Sequence, residues 1–389
     1  MRTESVTELS DLSALGGHWF QSAHGPGYVV ESVYEGGHVH GRIPLHRALS
    51  VDPARLAGQT KDPRLADQHP AGFLYVDTET TGLGGAGSMV FLAGTARFDG
   101  SLLRLRQYLL PAPQYEGGLL GGLAEDLARA GALVSYNGKS FDLPMLEARY
   151  ILSRQRPSFR QLPHLDLLHP NRRLFKGAFD SYRLPRMEVE LLGFEREDDC
   201  PSSEVPERYF RFQRTSDPTH ILPVLRHNAW DILSLVALAA HLAWVCDGET
   251  YPFQAGRAAE YAGNYRAAAN YFEAALGGVL SRADRLDATE HAAQCRARLG
   301  DWGTAAAHWQ ALIDEPRARR VLPYVELAKI HEHRLPDLPF AYTLVTQAIG
   351  MAGRGLVSTG AANSDTSLTA LRLRAARLEA KLVKSNSGK

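Results

Sequence analysis

The apolar run Phe73-Leu74-Tyr75-Val76 ends in Asp77-Thr78-Glu79-Thr80-Thr81-Gly82-Leu83, so a β-prone strand carries two carboxylates at its end. Side chains alternate along a strand, which puts Asp77 and Glu79 on one face. Two carboxylates on one face without a basic partner repel each other. A divalent cation that favours oxygen ligands, Mg²⁺ or Mn²⁺, removes the conflict. Either this strand ends at a cation site, or both acids sit in water as ordinary surface residues.

The neighbouring segments favour the first reading. Residues 89–98 and 102–110 read as strands joined by an Asp99-Gly100 turn, so a three-stranded antiparallel meander opens the region. Residues 119–130 read as a helix, 132–136 as a strand, Asn137-Gly138 as a tight turn, and 140–152 as a helix carrying Asp142 near its start. Strands followed by strand–helix alternation predict an α/β fold, a mixed sheet with flanking helices. Residues 153–219 read as loops and short helices. In a long helix over 221–245, His227 stands four residues before Asp231, which places both on one face.

The ordered acids, Asp77-x-Glu79, then Asp142, then Asp231, resemble the DEDD superfamily of exonucleases, which has a ribonuclease-H-like fold. The resemblance narrows through Arg183-Leu184-Pro185-Arg186-Met187-Glu188-Val189-Glu190-Leu191-Leu192-Gly193-Phe194, then Arg196-x-Asp198-Asp199, Glu204-x-Pro206-x-x-Tyr209 and His227-Asn228-x-x-Asp231-Ile232-Leu233-Ser234-Leu235. These stretches are similar to the bacterial YprB-like branch, ribonuclease-H-like proteins often followed by tetratricopeptide-like (TPR-like) helices. The match covers about residues 71–245.

The resemblance implies metal-dependent hydrolysis of phosphodiester bonds from a 3′ end. Two cations about 3.5–4 Å apart clamp the attacking and leaving oxygens of such a displacement. It also implies that Asp77 bridges both ions, that Glu79 and Asp231 complete one, and that Asp142 holds the second, mainly through water. His227 would orient or deprotonate the attacking water. The chain departs from the best-known subgroups here. One has His five residues before the last Asp, the other Tyr four before it, and this chain has His at the Tyr spacing. Two readings of His227 stand: water activation, or a hydrogen bond to the helix or to phosphate. Tyr136 and Tyr209 are alternative water-positioning residues, and each is also a packing candidate.

Lys plus Arg and Asp plus Glu each number 43, so the chain has no net charge to attract a polyanion and must hold one by local charge or metal. The local charge lies at residues 139–176, where eight cations face Asp142, Glu147 and Asp166, an excess of five. Lys139, Asn137, Arg172, Arg173 and Lys176 are the candidate nucleic-acid contacts, with Phe159, Phe175 and Phe179 as stacking or core residues. Asp166 is read as a helix N-cap or as a support for the metal ligands. Residues 195–207 carry six acids against Arg196 and read as a mobile acidic loop flanking the site, or a third metal site. Gly84-Gly85-Ala86-Gly87 lacks the Lys-Ser/Thr of a P-loop, and its small residues suit close approach of a 3′-terminal nucleotide.

Residues 1–70 read as a small N-terminal β-extension and 71–247 as the nuclease-like domain. Beyond Asp247-Gly248 the chain becomes Ala-rich and helical. Gly263-Asn264-Tyr265 returns as Gly300-Asp301-Trp302, and Ala268-x3-Phe272 as Ala305-x3-Trp309, each 37 residues on, with a fainter third copy at Ala341 and Ile349. This predicts TPR-like repeats over 248–353, with an ordinary helical bundle as the alternative. Residues 354–367 read as a linker, 368–383 as a basic helix, and the last few residues as disordered. Cys200, Cys246 and Cys295 make no zinc-ligand spacing. The apolar stretch 232–246 is interrupted by Ser234 and His241 and is shorter than the roughly 20 residues that span a bilayer. With no apolar signal core at the N-terminus, the expectation is a cytoplasmic protein. The leading functional expectation is a 3′-5′ exonuclease on single-stranded nucleic acid, DNA slightly ahead of RNA, with the repeats as a platform for a protein partner or substrate. The alternatives are a TPR-like adaptor carrying an inactive nuclease fold, and an endonuclease on structured nucleic acid.

Overall fold

The strands read from the sequence pair into one mixed sheet in a computed structural model, which describes residues 12–82, 88–156, 159–315, 320–353 and 364–387. In chain order they are β1 (His18–Ser22), β2 (Gly25–Glu35), the short hairpin of β3 (Val39–His40) and β4 (Ile43–Pro44), β5 (Phe73–Thr80), β6 (Val90–Asp99), β7 (Leu102–Leu109), β8 (Ala132–Ser135) and β9 (His164–Asp166). The main sheet has the order β1-β2-β7-β6-β5-β8-β9. β5, β6 and β7 form the expected antiparallel meander, and β8 and β9 run parallel to β5. The parallel return needs a crossover, supplied by helix α2 below. Gly84–Gly87 and residues 354–363 of the expected linker lie outside the described residues.

The N-terminal stretch differs from its reading as a separate extension. β2 pairs antiparallel with β7 over eight positions, from Tyr28 opposite Leu109 to Glu35 opposite Leu102, and β1 pairs with β2. The physical reason is the edge of β7, which offers a row of N–H and C=O groups that another strand satisfies. The chain divides into two compact units, residues 1–244 and 245–389.

In the first unit, α1 (Pro53–Thr60) precedes β5, and α2 (Glu116–Ala128) and α3 (Asp142–Leu152) flank β8. Short helices α4 (Leu168–Leu174) and α5 (Leu184–Met187) follow, the latter running into a π-helical turn (Glu188–Leu192), then α6 (Val205–Thr215) and α7 (Leu222–Asp247). Phe91, Leu92, Leu109, Leu120, Leu133, Leu146 and Ile221, each buried, fill one continuous core between the sheet and these helices. The region containing α7 holds an 18-residue window apolar enough to cross a membrane, and 78% of that window is buried in the fold. α2 approaches the β1–β2 turn so closely that a Cβ on Gly118 would lie 1.9 Å from the Pro26 carbonyl oxygen.

The second unit is helical throughout its described residues: α8 (Pro252–Tyr261), α9 (Tyr265–Leu276), α10 (Arg282–Arg298), α11 (Trp302–Asp314), α12 (Leu322–His333), α13 (Leu338–Gly353) and α14 (Leu368–Ser387). Each helix packs on the next in sequence. The 37-residue spacing has a structural counterpart. Gly263 and Gly300 both adopt positive φ, and Asn264 and Asp301 both cap the following helix by accepting a backbone N–H. Ala268 with Phe272, and Ala305 with Trp309, are buried small-and-aromatic pairs. α14 reaches Ser387, further than the expected 368–383, so its tail is helical where disorder was expected.

Two alanine substitutions test this packing. Gly118→Ala drives a methyl into backbone and is expected to destabilise by about 1–3 kcal/mol. Gly350→Ala, in exposed helix with nothing within 4 Å of its Cβ, is expected to stabilise by roughly 0.5–1 kcal/mol. Urea unfolding of both variants reads the difference in sign.

Candidate active site

The end of β5, the start of α3 and one face of α7 converge. Asp77 lies opposite Gly94 of β6. Asp142 is drawn to β5 by Thr78, which stands between the two strand acids: its N–H (3.0 Å) and its hydroxyl (2.5 Å) both donate to Asp142 Oδ1. From α7, Asn228 Nδ2 donates to Asp77 Oδ2 at 2.8 Å, while its carbonyl oxygen accepts from Gln107 Nε2 at 2.9 Å. Asn228 fits because Gly94 has no side chain; a Cβ there would lie 2.3 Å from Asn228 Oδ1. Ligand atoms of Glu79, His227 and Asp231 all lie within 4.8 Å of one another. The five sequence-predicted residues Asp77, Glu79, Asp142, His227 and Asp231 therefore come together.

The electrostatics set these carboxyl groups against one another. Burial, followed by repulsion from Asp231, Asp142 and Glu79, holds the Asp77 carboxyl well above the usual carboxylate range. Glu79 is raised well above its range by burial and then by Asp231 and Asp142. Burial raises Asp142 to about 6, against the lowering effect of its Thr78 hydrogen bonds. Hard oxygen ligands that resist joint ionisation suit a divalent cation of the Mg²⁺ or Mn²⁺ class.

The acidic segment 195–207, expected as a mobile flank or third metal site, enters the centre instead. The Arg196 side chain is 6% exposed and reaches Glu188 (2.6 Å), Asp199 (3.1 Å) and Asp231. His227 Nδ1 donates to Asp199 Oδ1 at 2.8 Å, while Nε2 faces Asp231 Oδ2 (3.5 Å) and Glu79 Oε1 (4.0 Å). Arg196 Nη1 lies 3.2 Å from the same Nδ1 and donates to Asp199 Oδ2, so the two cross paths on one carboxylate. Behind Arg196, Ser234 donates to Glu188 Oε1 at 2.5 Å, and His40 Nε2 lies 2.7 Å from Ser234 Oγ. Burial lowers His40 to about 4, so its ring is neutral and its Nε2–H donates to Ser234. Sequence reasoning missed the roles of Asn228, Arg196, Asp199, Glu188 and His40. The single cation inside the acidic run, and the Asn beside His227, were the available signals. Two other acids of the segment have ordinary partners: Glu204 pairs with Arg208, and Glu207 with Arg211 and Arg214.

Of the candidate nucleic-acid contacts, Asn137 and Arg172 line one cavity of about 470 Å³ with Tyr136, Tyr182 and Arg183. Asn137 takes a positive φ of 64° at the turn after β8. Asp166 at the end of β9 fixes that turn by accepting the N–H groups of Asn137 (2.7 Å) and Lys139 (3.1 Å), and it also accepts from Leu168 at the start of α4. Lys139 and Lys176 are exposed, whereas Arg173 turns away to Gln59. Phe159 and Phe175 are core residues, and Phe179 stacks on Phe175. Tyr209 is buried, stacks on Phe91 and donates to the Leu110 carbonyl, so it is a packing residue; the Tyr136 hydroxyl donates to the Tyr182 carbonyl.

The sequence model of a family described as RNase_H superfamily matches residues 74–243. The chain is also 32% identical over 321 residues to the uncharacterized protein YprB of Bacillus subtilis (strain 168), a match covering 79% of this chain and 74% of the relative.

Raised carboxyl groups give the stability a defined pH slope. The folded state keeps protons that the unfolded chain has lost, so stability falls as pH rises from the unfolded carboxylate values near ~4 through the raised ones, about 6 for Asp142. In EDTA, the melting temperature is expected to drop between about pH 5 and about pH 8, and Mg²⁺ or Mn²⁺ to restore it more at the higher pH. Asp77→Asn is expected to raise the melting temperature in EDTA and to remove most of the metal-induced rise. A metal-induced rise equal to wild type in Asp77→Asn would take Asp77 out of the cation site.

Proposed function

The chain belongs to the YprB-like branch of the ribonuclease H superfamily, and from that premise we propose that it is a divalent-metal-dependent 3′-5′ exonuclease on single-stranded nucleic acid. The observation that carries the reading is the convergence of Asp77, Glu79, Asp142 and Asp231, with His227 Nε2 facing Glu79 and Asp231. Mg²⁺ or Mn²⁺ would be held by these four acids and would supply Lewis acidity and a water nucleophilic at neutral pH. The protein supplies the proton chemistry. With Nδ1 donating to Asp199, Nε2 is the His227 nitrogen that faces Glu79 and Asp231, and it would take a proton from a water bound between them. Asn228 holds Asp77 in register, and Thr78 holds Asp142. The cavity containing Asn137 and Arg172 takes phosphate and sugar, with Lys139 and Lys176 at the exposed margin. DNA stands slightly ahead of RNA as substrate, and the helical unit is read as a platform for substrate or a protein partner.

One observation favours a second reading. The Arg196 guanidinium already engages Asp231, as it would in a silent nuclease fold serving as a scaffold. That reading requires no metal-dependent change in the protein.

The test uses 5′-labelled DNA and RNA oligonucleotides side by side, with Mg²⁺ or Mn²⁺ or with EDTA. A metal-dependent ladder shortening from the 3′ end is expected, abolished in Asp77→Ala. His227→Ala is expected to lower kcat by about 10²–10⁴-fold, and Asp199→Asn to fall between it and wild type. No ladder from the wild type on either polymer sinks the proposal, and cutting of circular single strands would make the protein an endonuclease.

A further inference from the structure

The helical unit contains a cavity of its own, about 660 Å³, walled by α10, α11, α12 and α14. Sites that take nucleotide-sized or drug-sized ligands are commonly about 300–1,000 Å³. Its lining carries Arg298, Lys329, Arg334, Arg374 and Arg377 against one acid, Glu326. Part of this charge is used within the fold. Buried Glu332 accepts from Arg374, Arg377 and Lys381, which fastens α14 to α12 and completes the wall. Lys329 bridges Glu326 and Asp365.

Arg298 and Arg334 are different. Both are exposed, and among the described residues neither meets a carboxylate. Each is held on an aromatic face: Arg334 lies 4.8 Å above the ring of Trp302, and Arg298 lies 4.6 Å above that of Tyr265, to whose hydroxyl its Nη1 donates, leaving Nη2 and Nε of the fork. Trp302 itself lines the cavity. The site thus offers pre-positioned guanidinium forks beside a flat π surface. Forks match phosphate oxygens, and an indole face stacks on any base.

We propose that this cavity is a second nucleic-acid site of the helical unit, which holds a phosphate and an adjacent base of single-stranded nucleic acid. The choice of nucleic acid over an acidic peptide rests on the nuclease reading and on the arginine–tryptophan pairing. A carboxylate-bearing peptide uses the charge but has no need of the indole face.

The test is fluorescence anisotropy with the full chain carrying Asp77→Asn, in EDTA, against fluorescein-labelled oligothymidylate over a salt series. Adding Arg298→Glu with Arg334→Glu is expected to weaken binding by tenfold or more. It should also flatten the dependence of log K on log salt by about 1.4, two contacts at ~0.7 each. Trp302→Ala is expected to cost roughly tenfold with the salt slope kept, since stacking is uncharged. Circular dichroism melts confirm that each variant is folded. Affinity and slope unchanged in the double charge variant overturn the proposal. So does competition at this site by a poly-glutamate peptide that binds more tightly than the oligonucleotide, because the occupant is then a protein. If the oligonucleotide ladder is absent but the arginine-dependent binding is present, the second site stands and the nuclease reading falls. A ladder with no arginine-dependent binding gives the reverse.

Discussion

Asp77, Glu79, Asp142 and Asp231 repel one another where protein has replaced much of the water, and the nuclease-like unit is arranged to hold them there. Coulomb energies grow as the effective dielectric falls, so this arrangement costs free energy in the absence of a counter-charge. Among the described residues the fold pairs Asp231 with one guanidinium, that of Arg196, shared with Asp199 and Glu188. One positive charge does not balance the group, and Asp77 and Glu79 are left with raised proton affinity. A divalent ion would offset that deficit. Arg196 limits that deficit on the α7 side while the β5 and α3 side carries most of it.

The acids are fixed by neutral partners as well as charged ones. Asn228 reaches Asp77 across a gap that Gly94 leaves open, and Gln107 holds Asn228 from the sheet side. A relay of His40, Ser234 and Glu188 braces Arg196 from behind. Because His40 lies in the β3–β4 hairpin, the N-terminal stretch supports the geometry of the site besides widening the sheet. Removing a partner from such a buried ionic group leaves an uncompensated charge, which is far more damaging than losing a surface pair.

The sequence exposed the elements whose chemistry dictates residue type and spacing. Alternation placed Asp77 and Glu79 on one face, and the four-residue interval placed His227 above Asp231. The meander, the α3 start at Asp142 and the 37-residue helical spacing were legible for the same reason, since each is written in local periodicity. Arg196 and Asp199 were not. Their partners Asp231 and His227 are 35 and 28 residues away, and a single cation among acids reads as a solvated loop. The joining of β2 to β7 was hidden too, because strand pairing across 67 to 81 residues leaves no local trace. Tyr209 and the phenylalanines of the basic stretch carry the same lesson: an aromatic ring has the same signature in a core as on a binding face.

The pairing of β2 with β7 also bears on how copies of this chain behave toward each other. The sheet now ends in β1, five residues long, and β9, three residues long. Short edges offer little template for edge-to-edge addition of a foreign strand. Without the N-terminal strands, the outermost strand would be the eight-residue β7, a longer row of unsatisfied backbone groups with Leu103, Leu105 and Leu109 on one face. The N-terminal strands thus spend the long edge inside the chain, where a strand of another copy would otherwise find room to pair.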